Sequence, residues 1–171
     1  GTQSSYCLTV GNDNVGIGAC SNRCLASGLD NISLGRCSGY LNTNKSGNVS
    51  IGHSAGYNVT EADNISIGAT SGGGKCSIAI GRFALSNCTN TGSRNVAIGL
   101  EAGRSNTTGS NNIFVGDRAG ESNSTGVYNI SLGQNAGGHN ISGCRNVSIG
   151  NGANFCNCTS IKNIAVGPSA Q

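Results

Sequence analysis

The chain has 171 residues, with 29 Gly, 9 Cys, 1 Pro, 10% charged residues and a net charge of +3. This length fits one domain, but an apolar content of 36% is too small for a thick globular core and fits a core one side chain deep. No basic cluster with interleaved aromatics and no long apolar run occurs, so we expect neither nucleic-acid binding nor a membrane span. Because the chain begins at Gly1 rather than Met, we interpret it as a processed protein or a piece of a longer one.

The first segment, residues 1–13, does not fit the pattern that follows it. Cys7-Leu8-Thr9-Val10-Gly11 has the form of a strand motif, yet Gly11 lies only seven residues before the next motif glycine, Gly18. Two motifs this close cannot both be full repeats. We therefore predict an irregular cap or a strand exchanged with a neighbouring molecule, because an open sheet end exposes unpaired backbone groups.

From residue 14 onward the chain repeats one phrase: Asn, apolar, small, apolar, Gly. The alternation is typical of a short β-strand, and the fixed period indicates a solenoid. Such strands bury a face only by stacking in parallel, about 4.8 Å apart. The sequence predicts one all-β domain over residues 14–171, a left-handed parallel β-solenoid of about ten 17-residue coils without significant helix. The phrase ends at Gly18, Gly35, Gly52, Gly68, Gly81, Gly99, Gly116, Gly133, Gly150 and Gly167.

The alternation also predicts which side chains face the core. In the phrase Asn129–Gly133 we expect Ile130 and Leu132 to point inward and Ser131 to point outward, where small residues let a flat face approach another chain. We expect the first residue of the phrase to form a structural ladder of amide hydrogen bonds between coils rather than a ligand site. The ladder comprises Asn14, Asn31, Asn48, Asn64, Asn95, Asn112, Asn129, Asn146 and Asn163.

One coil is contracted. Gly81 follows Gly68 by 13 residues instead of 17, and Gly72-Gly73-Gly74 lies between them. We expect a notch or a bend in the rod at this point. Simple loop variation is the preferred explanation, and a binding cleft is the alternative.

Acceptor sequences for N-glycosylation occur both in strands and in loops. A glycan on a strand asparagine would break the stack, so we expect those sites to be bare. If the protein is secreted, we predict glycans at the loop sites Asn44, Asn58, Asn87, Asn106, Asn123, Asn140 and Asn157. The last four are 17 residues apart and would form a row along one edge; alternatively, Asn and Ser/Thr are simply common loop residues here.

The nine cysteines favour structural disulfides and an oxidising compartment, and their spacings do not match a metal site. We expect neither a metal nor another cofactor. Residues 17 apart stack within disulfide range, which predicts Cys7–Cys24 and Cys20–Cys37, with Cys7–Cys20 and Cys24–Cys37 as the alternative. Pairs 12 apart, Cys76–Cys88 and Cys144–Cys156, would bridge the loop edge, which leaves Cys158 free or linked to another chain.

The phrases Asn95–Gly103 and Asn146–Ala153 resemble the head repeats of trimeric autotransporter adhesins and similar repeats of phage and viral fibre proteins. The resemblance extends from about Asn14 to Ala170. It implies a left-handed parallel β-roll, often trimeric, on an extracellular or virion surface.

The chain offers little for catalysis, because it has seven acidic residues, two distant histidines and no paired carboxylates in a shared register. We expect a non-catalytic structural subunit of an extracellular fibre, stapled by disulfides and assembled as a homo-oligomer, either a head-to-tail filament or a trimer. The second hypothesis is an adhesive head that binds a host or surface receptor. The third is an ice-binding solenoid, which ranks lower because no Thr-rich array is present.

Overall fold

The computed structural model of the protein describes residues 2–4, 11–57 and 61–171. Ten three-residue strands lie in chain order in one parallel sheet, and the described residues contain no helix. The strands are β1 (Val15–Ile17), β2 (Ile32–Leu34), β3 (Val49–Ile51), β4 (Ile65–Ile67), β5 (Ile78–Ile80), β6 (Val96–Ile98), β7 (Ile113–Val115), β8 (Ile130–Leu132), β9 (Val147–Ile149) and β10 (Ile164–Val166). The predicted parallel β-solenoid is confirmed, while its handedness stays a prediction.

Equivalent residues of successive coils stack directly on one another. Ile130 pairs with Ile113 on one side and with Val147 on the other, in register. Backbone hydrogen bonds continue beyond the strands into the corners, as where the N–H of Gly150 donates to the carbonyl of Leu132 across 2.8 Å. Each position of the repeat therefore forms a column along the rod.

The predicted orientation of the strands is wrong. Ser131 is buried at 3% exposure, whereas Ile130 and Leu132 lie half-buried on the outer face. The reason is the width of the coil: a Cβ atom built on Gly137, in the opposite wall, would lie 2.5 Å from the Oγ of Ser131. At most of its inward positions the 17-residue coil has room only for small side chains and amides, so the branched apolar side chains of the strands are directed outward.

The interior accommodates a large ring at Phe114, which is 1% exposed. Glycines in two coils make this possible, because a Cβ on Gly120 would lie 2.2 Å from Cδ1 of the ring and one on Gly103 would lie 2.7 Å from Cδ2. Phe114 and Leu85 form an apolar core with five alanines: Ala79, Ala84, Ala97, Ala102 and Ala119.

The repeat extends toward the start of the chain. Cys20 donates its N–H to the carbonyl of Thr2 across 3.0 Å, and the Oγ of Ser4 donates to the carbonyl of Gly16 across 2.9 Å. Thr2–Ser4 therefore occupy a corner of one further coil. The cap or exchanged strand predicted around residues 7–11 lies, apart from Gly11, outside the described residues.

Candidate functional site

The predicted asparagine column lies inside the rod and is fully engaged there. The Nδ2 of Asn129 donates to the carbonyl of Gly143 across 2.7 Å, and its Oδ1 accepts the N–H of Asn146 across 3.0 Å. Members of the column between the ends are buried, while Asn14 and Asn163 at its two ends are half-buried. These amides hold the coils together and present no ligand-binding surface.

A second buried asparagine column contains three of the predicted glycan sites, Asn106, Asn123 and Asn140. The Nδ2 of Asn123 donates to Oδ1 of Asn106 across 2.9 Å and to the carbonyl of Gly126 across 3.2 Å. A glycan is attached to this nitrogen and would have to enter the core. The burial of these amides disfavours glycans at the three sites, and the row predicted from their 17-residue spacing stays a prediction.

The remaining loop sites differ in accessibility. Asn44 is exposed, Asn87 and Asn157 are half-buried, and Asn58 lies outside the described residues. Glycosylation at these sites stays a prediction. All of these loop asparagines have the same kind of acceptor sequence. Asn157 continues the column of Asn106, Asn123 and Asn140 and is half-buried at its end, whereas Asn44 and Asn87 lie at other positions of the repeat.

The eight cysteines among the described residues are free: Cys20, Cys24, Cys37, Cys76, Cys88, Cys144, Cys156 and Cys158. The predicted bonds Cys20–Cys37, Cys76–Cys88 and Cys144–Cys156, and the alternative Cys24–Cys37, are therefore absent, while any bond of Cys7 to Cys24 or Cys20 lies outside the described residues. Cys144 stacks on Ile161 rather than on Cys156. Cys76 precedes β5 and lines a different cavity from Cys88, because a 12-residue separation places the two at different corners.

The outer face of the sheet carries two apolar columns that the alternation alone predicts to be inside. Most members in the middle of the rod are half-buried, and three of them keep more than a third of their surface in solvent: Ile98 at 38%, Ile113 at 39% and Ile149 at 37%. The sequence did contain a signal for this arrangement. Each repeat has small residues at two positions, one in the middle of the strand and one three residues after the corner glycine. Small residues at both positions fit a narrow interior in which the two columns face each other. We call this surface the apolar face; it consists of the first and third residues of β1 to β10.

The contracted coil produces the notch that its length predicts. A cavity of about 240 Å³ opens beside Gly72 and Gly73, and Tyr57, Ser86 and Asn87 are among its lining residues. A Cβ on Gly73 would approach the backbone oxygens of Leu85 and Asn87, the neighbours of Ser86, at 2.8 and 3.3 Å. Gly73 therefore stacks on Ser86, and the outer part of the loop is missing from this coil.

An aromatic stack ends at the notch. The rings of Tyr40 and Tyr57 are parallel within 5°, with their centroids 5.0 Å apart. The guanidinium of Arg23 lies 5.5 Å from the centroid of Tyr40 on its other side and donates to its hydroxyl. The three residues are 17 apart and share one column. Gly73 occupies the next rung of this column and has no side chain.

Charged side chains lie on the surface as ion pairs between coils. Glu61 lies between Lys75, at 3.1 Å, and Lys45, at 3.8 Å. The hydrogen bond from Lys75 and then the charge of Lys45 lower the pKa of the Glu61 carboxyl. In the part of the chain that the structure describes, no three His, Cys, Asp or Glu side chains are grouped closely enough to hold a metal ion, and no helix is suited to cross a membrane.

Comparisons with protein-family models, with curated proteins and with solved structures find no match to this chain.

Proposed function

We propose that the protein is a non-catalytic structural subunit of an extracellular fibre whose copies associate side by side through the apolar face. The observation that carries this proposal is that the apolar face stays at least partly exposed along all ten strands, since each of its members is half-buried or exposed. Folded proteins seldom leave continuous apolar patches of this extent in water, and such patches mark interaction surfaces. At the last strand the exposure is greatest, with Ile164 at 74% and Val166 at 64%.

A second copy of the same chain is the partner that fits this face best. The columns repeat at the spacing of stacked strands, about 4.8 Å, so two copies match rung for rung over the whole rod. A protein with an unrelated surface would match only a few rungs. Two columns on one flat face also allow each copy to contact two neighbours, one through each column, which closes a threefold arrangement.

Two further considerations support a surface-exposed fibre. The resemblance of Asn95–Gly103 and Asn146–Ala153 to adhesin and fibre repeats favours a trimer outside the cell or on a virion surface. The parallel, in-register pairing of all ten strands favours a stiff rod, the shape that a fibre subunit needs. Rigidity in this proposal comes from the asparagine columns, since the described cysteines are free.

Light scattering coupled to size-exclusion chromatography tests the proposal. The wild-type chain should elute with a mass that is a multiple of 17.0 kDa. Ile113→Lys combined with Ile149→Lys places one charge in each column and should give a folded monomer. Ile141→Lys is the matched control, because Ile141 is 48% exposed but lies outside the strands, and it should leave the oligomer intact.

The proposal fails if the wild-type chain is monomeric at about 10 µM, a concentration at which a stable oligomer persists. It also fails if the double variant keeps the oligomeric mass. If the chain is oligomeric, electron microscopy of the native protein distinguishes the two possible assemblies. Long filaments indicate end-to-end extension, and short rods of uniform length indicate a closed trimer.

A further inference from the structure

We propose that the notch is a binding site for one neutral pyranose ring, stacked on the open face of Tyr57. This inference does not depend on the assembly of the rod, because its test is made on binding alone. It rests on three features of the notch: a free aromatic face, a gap of one rung and a lining without charge.

The first feature is the incomplete aromatic stack. Tyr57 contacts Tyr40 through one face of its ring and is still 42% exposed. Its other face is directed along the rod toward Gly73, which stacks on Ser86. Because Gly73 has no side chain, no described residue fills this rung of the column. Aromatic faces carry partial negative charge and attract the partially positive hydrogens of a stacked group. The C–H groups on one face of a pyranose provide such hydrogens.

The second feature is the size of the gap. Tyr57 and Ser86 are separated by two rungs of the solenoid, and the missing rung between them has a thickness of about 4.8 Å. Tyr40 and Tyr57 already show the spacing that a stacked ring takes in this column, 5.0 Å between centroids. A single ring in the notch would therefore continue the stack, and the cavity of about 240 Å³ has room for it.

The third feature is the chemistry of the walls. The lining combines the ring of Tyr57 with hydroxyl and amide groups, including Ser54, Thr70, Ser86 and Asn87. Its described residues include no acidic or basic side chain, and Arg104 lies in the adjoining cavity. Hydroxyls and amides donate and accept hydrogen bonds, as sugar hydroxyls do. A few polar groups around an apolar surface are typical of small-molecule sites. The absence of charged lining residues favours a neutral sugar over an acidic one.

The sugar has two sources with the same chemistry. It is either a free saccharide or the first sugar of a glycan on the protein itself, since Asn87 lines the notch and begins the acceptor sequence Asn87-Cys88-Thr89. Protein made without N-glycosylation tests the site alone. Protein secreted from a glycosylating host, with Thr89→Ala to remove the acceptor sequence, distinguishes the sources.

The primary experiment is saturation-transfer NMR on unglycosylated protein with glucose, galactose, mannose and N-acetylglucosamine as probes. We expect transfer from the protein to the ring protons of at least one probe. Tyr57→Leu should weaken binding by about tenfold, the size of one aromatic contact, while Tyr57→Phe keeps the ring and should preserve binding. Tyr128→Leu is the matched control, because Tyr128 is 55% exposed and is not part of this column.

Ser86→Phe provides an independent variant that fills the notch from the opposite wall. Its column holds Phe155 and Tyr40 in other coils, so the fold tolerates a ring at this register, and binding should be lost. The proposal is overturned if no probe shows transfer, or if binding survives in both Tyr57→Leu and Ser86→Phe. Binding of p-cresol without any saccharide would also overturn it and would indicate an aromatic side chain of a partner protein.

In the secreted protein, either result identifies the source and supports the site. Saccharide binding by the secreted wild type indicates a free ligand. Binding that appears only after Thr89→Ala indicates that a glycan on Asn87 occupies the notch.

Discussion

Asn129 donates its backbone N–H to the side-chain Oδ1 of Asn112 in the preceding coil, across 2.9 Å. Asn112 in turn uses its Nδ2 for the Oδ1 of Asn95, at 3.1 Å, and for the carbonyl of Gly126, at 2.9 Å. One side chain thus satisfies groups in three places where water does not reach. Inside the rod these buried amides lie beside apolar contacts such as those of Phe114 and Leu85.

We predict that Asn112→Ala lowers the free energy of unfolding by about 1–3 kcal/mol, because it leaves the buried N–H of Asn129 without its acceptor. The carbonyl of Gly126 loses one donor but keeps the Nδ2 of Asn123. Asn163→Ala, in the last rung, should cost less than about 1 kcal/mol, because that side chain is half-buried at the end of the column. Urea unfolding followed by circular dichroism measures both losses. Equal losses would show that burial of the amide is not what makes the middle of the column stabilising.

A second prediction concerns the corner glycines. Gly133 has a φ of 125°, and a Cβ built on it would lie 2.7 Å from the carbonyl oxygen of Gly150 in the next coil. Gly167 has nearly the same φ, 121°, but no atom of the described structure lies within 4 Å of its Cβ position. Both alanine variants therefore carry the same backbone strain, and only Gly133→Ala adds a clash between coils.

Gly133→Ala should consequently be less stable than Gly167→Ala by about 1–3 kcal/mol, the usual cost of overpacking a tight interior. Urea unfolding midpoints of the two variants and the wild type provide the comparison. If both variants lose the same stability, the glycines are required for their φ alone and close stacking is not the constraint.

The sequence was sufficient to predict the architecture, because the same strand motif occurs ten times at a nearly constant spacing. The glycine at the end of each phrase and the asparagine at its start determine the period, the parallel register and the column positions. The orientation of the strands relative to the core was not predictable in the same way. Alternation places Ile130 and Ser131 on opposite faces, but it does not say which face is inside, and the expectation that apolar residues are buried gave the wrong answer. Here the narrow coil, rather than hydrophobicity, decides.

The candidate sites were predictable only in part. The short coil between Gly68 and Gly81 indicated a notch, since missing residues leave space wherever the neighbouring coils are complete. The 17-residue spacing of Tyr40 and Tyr57 is consistent with stacking of their rings. The spacing alone did not draw attention to them, because every residue in the repeat stacks on the residue 17 positions away. Burial of Asn123 was not predictable from its acceptor sequence for N-glycosylation, because the same type of sequence occurs both in exposed loops and in the buried amide column.

A third prediction concerns the pairing of Phe114 with Gly120. The two are coupled, because a Cβ on Gly120 would lie 2.2 Å from the Cδ1 atom of the Phe114 ring. Gly120→Ala should destabilise the protein by about 1–3 kcal/mol through this clash. Phe114→Ser, which restores the residue found in other coils, should by itself cost about 3–5 kcal/mol through the cavity that it leaves.

In the double variant, Phe114→Ser with Gly120→Ala, the added methyl group enters space that the ring has vacated. The combined loss should therefore be smaller than the sum of the single losses, with a coupling of about 1 kcal/mol or more. Thermal and urea unfolding of the four proteins complete this cycle. Simple additivity would mean that the backbone moves to accommodate either change separately.

A fourth prediction concerns glycosylation in a secretory host. Asn44 is exposed, and Asn87 and Asn157 are half-buried, whereas Asn106, Asn123 and Asn140 are buried with their amides engaged. We expect folded, secreted protein to carry glycans only at sites of the first group among the described residues. Peptide mapping by mass spectrometry, after enzymatic release in heavy-oxygen water, locates each occupied asparagine; occupancy of Asn123 in folded protein would contradict the second amide column.

The last prediction concerns pH. The pKa of Glu61 is lowered by its hydrogen bond with Lys75 and by the charge of Lys45, so the folded state favours the ionised carboxylate. When the pKa of a carboxyl group is lower in the folded state than in the unfolded state, where it is about 4.3 for Glu, the ion pair contributes its full stability above the unfolded-state pKa. This contribution is lost as the pH falls through the folded-state pKa. The three side chains join three successive coils at their surface, where ion pairs contribute modestly and are weakened by salt.

The difference in melting temperature between the wild type and Glu61→Gln should therefore be constant from about pH 6 upward and should shrink toward zero below the folded pKa. Added salt should reduce it at neutral pH. Glu121→Gln serves as the control, because Glu121 is a half-buried carboxylate for which no such lysine pair is found among the described residues. A difference that grows as the pH falls would reverse the sign required by a lowered pKa and would exclude Glu61 as a link between these coils.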